Sequence, residues 1–280
     1  MAKLYPQLIL FGDSLLQGSC AIQSGFSLQA ALQDHCMRRY DVVNRGMSGY
    51  NTSQCLKYLP SMFLAPGPNV APIKIVIILL GANDAAINDP PMSFQGVDFE
   101  GYKENLTAIA SHDIWKAHGA KIVLTTPPPL DEIRTGPADL EWGHKQPSRT
   151  SKRSQKYSQI CRDVAKELGE EGEHEVVLVD LWRGVMDKAI EMCPEWKEKG
   201  IKDGPPYLGD PECGLQGGLG TLLSDGLHMN GEAYKVFADL LMPHVKPEWR
   251  ELPPESREDY VFPDWQTAEW LEKDGPPKAK

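Results

Sequence analysis

The 280-residue chain contains no apolar run that approaches the length of a membrane span. Its first hydrophobic stretch, Leu8 to Phe11, is also far shorter than the core of a secretory signal. A cytoplasmic protein without stable membrane association is therefore expected. Cysteine is sparse and unpatterned. Cys20, Cys36, Cys55, Cys161, Cys193 and Cys213 form no Cys-x-x-Cys pair and no Cys/His grouping at zinc spacing, which argues against a disulfide framework or zinc module and leaves buried free thiols. Positive charge is short as well. The 29 Lys and Arg against 39 Asp and Glu give a formal charge of −10, whereas a nucleic-acid or anionic-membrane partner needs a basic surface. The one basic cluster, Arg149, Lys152, Arg153 and Lys156, reads as a solvated helix end. Two N-x-[ST] sequons, at Asn51 and Asn105, read as chance matches in a chain with no secretory signal, and there is no internal repeat.

What is present is an ordinary globular composition, 41% hydrophobic and 24% charged, in a chain long enough to bury a sizeable core. Short apolar runs alternate with helical periods, the pattern of a parallel sheet covered by helices. Strands are expected at Leu8 to Phe11, Asp41 to Asn44, Ile73 to Leu80, Lys121 to Thr125 and Val176 to Asp180. The third is nearly continuous in apolar residues, as a central strand covered on both faces must be. Tyr102, Leu106, Ile109, Ala110, Ile114 and Ala117 recur at helical spacing. So do Tyr157, Ile160, Cys161, Val164, Ala165 and Leu168, and near the end Ala233, Val236, Phe237, Leu240 and Leu241. Two stretches interrupt the alternation. Thr126 to Ser148 carries five prolines and reads as a long loop excursion, and Cys193 to Gly220 is too rich in Gly and Pro for a long regular element. Both leave the strand-end side of the sheet and are candidate walls for a site.

In open α/β sheets ligands bind beyond the carboxyl ends of the strands, so the residues following each run carry the functional information. Gly12-Asp13-Ser14-Leu15 follows the first strand, Arg45-Gly46-Met47-Ser48-Gly49-Tyr50 the second, and Gly81-Ala82-Asn83-Asp84-Ala85 the third; Asp225-Gly226-Leu227-His228 precedes the last helix. Acyl transfer needs a hydroxyl, an imidazole to take its proton and a carboxylate to hold the imidazole. Ser14, His228 and Asp225 can fill those roles, Asp225 and His228 lying three apart at a helix beginning and so on one face of it. The oxyanion needs donors. The Ser14 and Gly46 N–H groups and the Asn83 side-chain amide are the candidates, with Gly46 read as a loop glycine that permits close backbone approach. Singly, each piece has a plain alternative: Gly-Asp-Ser is good turn chemistry, an Asp-x-x-His is a common helix cap, and Asn83 could bond only its own loop. Ser48 is the rival nucleophile, but Tyr50 stands where a G-x-S-x-G elbow needs glycine. His35, His112, His118, His144, His174 and His244 have no acid and serine nearby in sequence and read as surface or packed histidines.

Taken together, the four blocks resemble the SGNH subgroup of GDSL esterases and lipases, over roughly residues 5 to 245. The family's serine, glycine, asparagine and histidine fall on Ser14, Gly46, Asn83 and His228, and its aspartate on Asp225. The resemblance implies a three-layer α/β/α sandwich with a five-stranded, mostly parallel central sheet. It also implies a serine mechanism with no cofactor and no metal, and an oxyanion hole of Ser14, Gly46 and Asn83. Arg45 to Thr52, Gly81 to Ala85, Thr126 to Pro129 and Ser224 to His228 look most like the isoamyl acetate-hydrolysing esterase branch.

A carboxylesterase for small neutral esters is therefore expected, with acetates of small alcohols favoured by the resemblance, a small acyl pocket and no interfacial activation. The alternatives are a thioesterase, lysophospholipase or carbohydrate deacetylase of the same family, and a binding protein that has kept the fold without activity. Residues 1–248 are expected to form the hydrolase domain and 249–280 an aromatic-rich extension. Trp249, Tyr260, Phe262, Trp265 and Trp270 are expected to cover the domain or a neighbouring subunit, the latter making a homodimer, because left free they would expose too much apolar surface.

Overall fold

The computed structural model describes residues 3–172, 174–198, 205–253 and 256–270. Five strands, β1 (Gln7–Gly12), β2 (Asp41–Gly46), β3 (Ile73–Leu79), β4 (Lys121–Thr125) and β5 (Val176–Val179), form one sheet in the order β2-β1-β3-β4-β5. Every pairing is parallel. The first half of the chain supplies helices α1 (Ser14–Gln17), α2 (Leu28–His35), α3 (Thr52–Met62), α4 (Phe99–Ala110), α5 (Asp113–His118) and α6 (Glu132–Glu141). The second half adds α7 (Ser151–Glu171), α8 (Leu181–Glu191), α9 (Pro194–Glu198), α10 (Leu219–Leu222), α11 (Gly231–Leu241) and α12 (Glu248–Glu251).

Alternation along the strands divides the core in two. Leu8, Leu10, Ile77, Leu79 and Val123 pack with Leu28 and Leu32 of α2, Val185 of α8 and Phe237 of α11. Ile9, Phe11, Val76, Ile78 and Leu124 pack on the other face with Leu59 of α3, Leu106 of α4 and Val164 of α7. Because both faces are covered, β1 and β3 cannot alternate apolar with polar residues, which is why they read as apolar runs. The result is the expected three-layer α/β/α sandwich, with a sheet that is wholly parallel. The strand order reverses direction between β1 and β3. At such a switch point the loops leaving neighbouring strands diverge to opposite faces and open a crevice. Ser14 follows β1 and Asn83 follows β3, so both stand at its mouth.

The two interrupting stretches differ in what they build. Thr126 to Ser148 is not merely a loop, since it holds α6, with Pro137 inside it. Proline lacks the N–H for one helical bond, which is why the segment does not read as a helix in sequence. Among its described residues, Cys193 to Gly220 contributes the short α9 and the start of α10, and it braces α6. The Ile133 N–H donates to the Gly209 carbonyl, and Gln216 Nε2 donates to Asp131 Oδ2 at 2.8 Å. The sequons also find a structural use. Asn51 caps α3 in a reciprocal box with Gln54, and Asn105 donates to the hydroxyls of Thr52 and Ser53.

Past residue 248 the described chain lies against α2 and the segment before β2. Trp249 stacks edge-on with Tyr40 at 5.0 Å and donates Nε1–H to Asp259. Arg39 sits over both Trp249 and Tyr260, and Arg38 over Tyr260. Trp249 is buried by these contacts, whereas Phe262, Trp265 and Trp270 stay exposed. The last part of the extension, 271–280, lies outside the described residues.

Candidate active site

The site begins at the carboxyl end of β1. A Cβ on Gly12 would lie 2.2 Å from the Leu79 carbonyl oxygen, so only glycine lets β1 and β3 run side by side into the crevice. Asp13 caps α1, its Oδ1 accepting the Leu15 N–H at 2.8 Å, and places Ser14 at the first helical position. There the Ser14 N–H has no carbonyl within its own helix to bond. The cost is a fully buried carboxylate whose Oδ2 has no partner among the described residues. Burial, reinforced by the charge of Asp84, pushes the Asp13 pKa up to about 7 against the pull of the Leu15 N–H.

His228 arrives from the segment before α11. Asp225 and His228 are not on a helix face, as the three-residue spacing suggested. They lie in a bend, and Asp225 organises it. Asp225 Oδ1 accepts the backbone N–H groups of Leu227 and His228, at 2.9 and 2.7 Å, and Oδ2 accepts from His228 Nδ1 at 2.6 Å. An ionised carboxylate can only accept, so Nδ1 carries the proton and Nε2 is left as an acceptor. Nε2 lies 3.0 Å from Ser14 Oγ. The bond to Asp225 raises the His228 pKa above its ordinary 6.5, against burial; that bond and the two backbone donors hold Asp225 well below the usual carboxylate range despite its burial.

The ends of β2 and β3 complete the floor. Asn83 is buried, and its Nδ2 donates to the Tyr50 carbonyl at 2.9 Å. Its neighbour Asp84 accepts from the Thr52 N–H at 3.0 Å and from the Thr52 hydroxyl, tying the loop after β3 to the N-terminus of α3. Gly46 behaves differently from the loop glycine expected. It is the last residue of β2, and a Cβ there would meet the Gln17 nitrogen at 2.1 Å, so its smallness serves the packing of α1. Its N–H donates to Asn44 Oδ1 at 2.8 Å, while Asn44 Nδ2 reaches Leu16, Ser19 and Gln29.

Ser14, Asn83, Asp225 and His228 share one cavity of about 320 Å³, closed on one side by Thr135, Ala138, Asp139 and Trp142 on and just after α6. Ser48 lines it too, but no imidazole bonds its hydroxyl among the described residues. Of the other histidines, His35, His118 and His174 donate to backbone carbonyls and His112 caps α5. A larger concavity, about 710 Å³, opens at the amino ends of the strands beside Lys74, Lys121 and His244. Its lining holds no serine and no aspartate, so it lacks the groups acyl transfer requires.

Residues 10–236 match the model of the GDSL-like lipase/acylhydrolase family. The chain belongs to that family. A GDSL esterase/lipase of Arabidopsis thaliana is 35% identical over 71% of this chain and 77% of its own length. The isoamyl acetate-hydrolyzing esterase 1 homologue of Mus musculus is 32% identical over 96% of this chain and 90% of its own. The fold is that of a solved lipase/acylhydrolase from Enterococcus faecalis, with a TM-score of 0.53 at 20% identity over 90% of this chain and 99% of that one. An acetyl xylan esterase, AlAXEase, superposes with a TM-score of 0.55 at 17% identity, over 85% of this chain and 99% of that one. This member of the GDSL family is an ester hydrolase.

Sequence reading missed one residue of this cavity outright. Arg149 is not part of a solvated helix end: it lines the cavity, with Nε donating to the Ala82 carbonyl at 2.8 Å and Nη2 to Asn83 Oδ1 at 3.0 Å. Arg153 is likewise engaged, with the Ala85 carbonyl and the Tyr157 hydroxyl, and only Lys152 and Lys156 of the cluster are solvent-exposed. A signal was present. Cations just before and in the first turn of a helix oppose its dipole, so arginines there point to partners elsewhere.

Proposed function

We propose that this hydrolase is a serine carboxylesterase for short, neutral esters, with acetates of small alcohols as the favoured class. The Ser14–His228–Asp225 chain of hydrogen bonds carries the reading. Ser14 Oγ attacks the ester carbonyl carbon as His228 Nε2 takes its proton, and the C=O π pair moves onto oxygen. The Ser14 N–H, the Asn83 amide and the Gly46 N–H are the proposed donors to that oxyanion, Gly46 having to share its hydrogen with Asn44 Oδ1. Collapse of the intermediate expels the alcohol, which leaves with the proton from His228. Water then repeats the sequence on the acyl-serine and releases the acid.

Substrate size follows from the cavity, whose volume of about 320 Å³ lies near the lower end of small-molecule sites. Isoamyl acetate and other acetates are consistent with that volume and with the names of the mammalian relatives. One observation favours a second reading, carbohydrate deacetylation: Trp142 is 74% exposed at the cavity rim, an open aromatic plate against which a sugar ring can stack. A kcat/KM series over aryl acetate, butyrate, octanoate and palmitate, run beside isoamyl acetate and an acetylated xylo-oligosaccharide, tests both. Acetyl and butyryl esters of small alcohols are expected to turn over fastest. Preference for octanoate or longer chains, above all past micelle formation, would refute the small-ester reading, and preference for the acetylated sugar would replace it with the second.

A further inference from the structure

The Asn83 amide can serve an oxyanion only if its nitrogen, not its oxygen, faces the cleft, and the two differ by a 180° rotation about χ2. Arg149 decides the matter. A guanidinium has only donors, so the Asn83 atom 3.0 Å from Arg149 Nη2 must be the oxygen. A backbone carbonyl only accepts, so the atom 2.9 Å from the Tyr50 carbonyl must be the nitrogen. Held at both ends, the amide has one orientation, and its second N–H takes no partner among the described residues. Arg149 is itself fixed. Nε is anchored on the Ala82 carbonyl one residue away, and Nη2 also reaches Gln95 Oε1 at 3.2 Å, while Gln95 Nε2 holds the Gly49 carbonyl.

The charge balance around this guanidinium is unusual. Among the described residues it forms no ion pair, and Asp139, Asp13 and Asp225 act on it only through space. Burial lowers its pKa from the ordinary guanidinium value, so the fold bears a cost to keep a cation here. A partly desolvated positive charge beside a catalytic serine is most useful at the moment a negative charge forms there.

We propose that Arg149 is a positioning residue of the hydrolytic reaction, orienting the Asn83 amide toward the oxyanion and supplying the fixed positive charge that faces it. This rests on the esterase reading above. The same charge acts on His228, which is faced by Asp225 from its own bend, by Asp13 from the β1–α1 turn and by Arg149 from the segment before α7. The two carboxylates favour the imidazolium and Arg149 opposes it.

The test compares wild type, Arg149→Met and Arg149→Lys by steady-state kinetics on a short aryl ester across pH. Each preparation is normalised by active-site titration with a serine-reactive phosphonate, so that misfolded protein is not counted. Arg149→Met is expected to lower kcat by about 10- to 100-fold with KM nearly unchanged, the behaviour of a group that acts on the transition state. The acid limb of its kcat/KM profile should move to higher pH, because only burial then opposes the imidazolium. Arg149→Lys keeps the charge but not the planar fork, and should recover part of kcat with the acid limb near that of wild type. A merely structural role would lower the titratable fraction and leave kcat per titrated site and the pH limb where they were, and that result would overturn the inference. Failure of wild type to form a phosphonate adduct at Ser14 would instead overturn the esterase reading, and the inference with it.

Discussion

At Asp13 one side chain is asked to do two things that conflict. Its Oδ1 must accept the Leu15 N–H to start α1 under Ser14, yet the carboxyl is wholly buried and its other oxygen is unpartnered among the described residues. With its pKa pushed from 3.8 to about 7, the folded protein binds this proton more tightly than the unfolded chain does. By linkage the folded state therefore loses stability as pH rises from about 4 toward about 7, opposite to the usual behaviour of a paired carboxylate. Asp13→Asn keeps an acceptor for Leu15 without the ionisation. Its melting temperature should decline less than that of wild type across this window; equal slopes would show that Asp13 is not the group responsible. Ser14, Asn83, Asp225 and His228 were legible as residues because each stands beside a strand end or helix start that the pattern of apolar runs already marks. Arg149 was not legible. Its role exists only where three segments distant in the chain meet, at Ala82–Asn83, Gln95 and Arg149 itself.

At the scale of elements, the site depends on how loops are fastened to helices. The loop that carries Asn83 is held to α3 by Asp84, which accepts from both the backbone and the hydroxyl of Thr52; burial has raised the pKa of this carboxyl to about 6. Thr52→Val removes the hydroxyl at nearly constant shape and leaves Asp84 short of a donor. A loss of about 1–3 kcal/mol is expected in urea unfolding, with a lower kcat because Asn83 is no longer fastened from behind. Unchanged stability would show that the Thr52 N–H alone suffices. The strands were readable almost to the residue, since β1 and β3 are buried on both faces and only nearly continuous apolar runs satisfy that. Helix α6 was hidden by Pro137 within it, and the Asp225–His228 bend by the coincidence that three-residue spacing serves an aspartate-capped turn as well as a helix.

Over the whole molecule, chemistry is gathered at the carboxyl ends of the strands and the described C-terminal extension is laid over α2, on a different part of the surface. Trp249 is its anchor, buried against Tyr40, His35 and Arg39. Trp249→Ala should cost about 3–5 kcal/mol, the usual range for emptying a buried tryptophan site, and should expose the extension to protease while kcat on short esters changes little. Full resistance to protease in that variant would show that Arg38 and its contacts with Tyr260, Phe262 and Pro263 are sufficient by themselves. The fold as a whole was legible because alternating strands and helices admit few arrangements, whereas the docking of the extension depends on cation–π and backbone contacts that no periodicity encodes. The proposed reaction rests on one assignment, Ser14 as the nucleophile activated by His228. It is tested most directly by treating the native protein with a serine-reactive phosphonate and mapping the adduct by peptide mass spectrometry, in wild type and in Ser14→Ala. One adduct on the peptide containing Ser14, absent together with ester hydrolysis in Ser14→Ala, is the expected result; an adduct on Ser48, or near wild-type hydrolysis by Ser14→Ala, would contradict it.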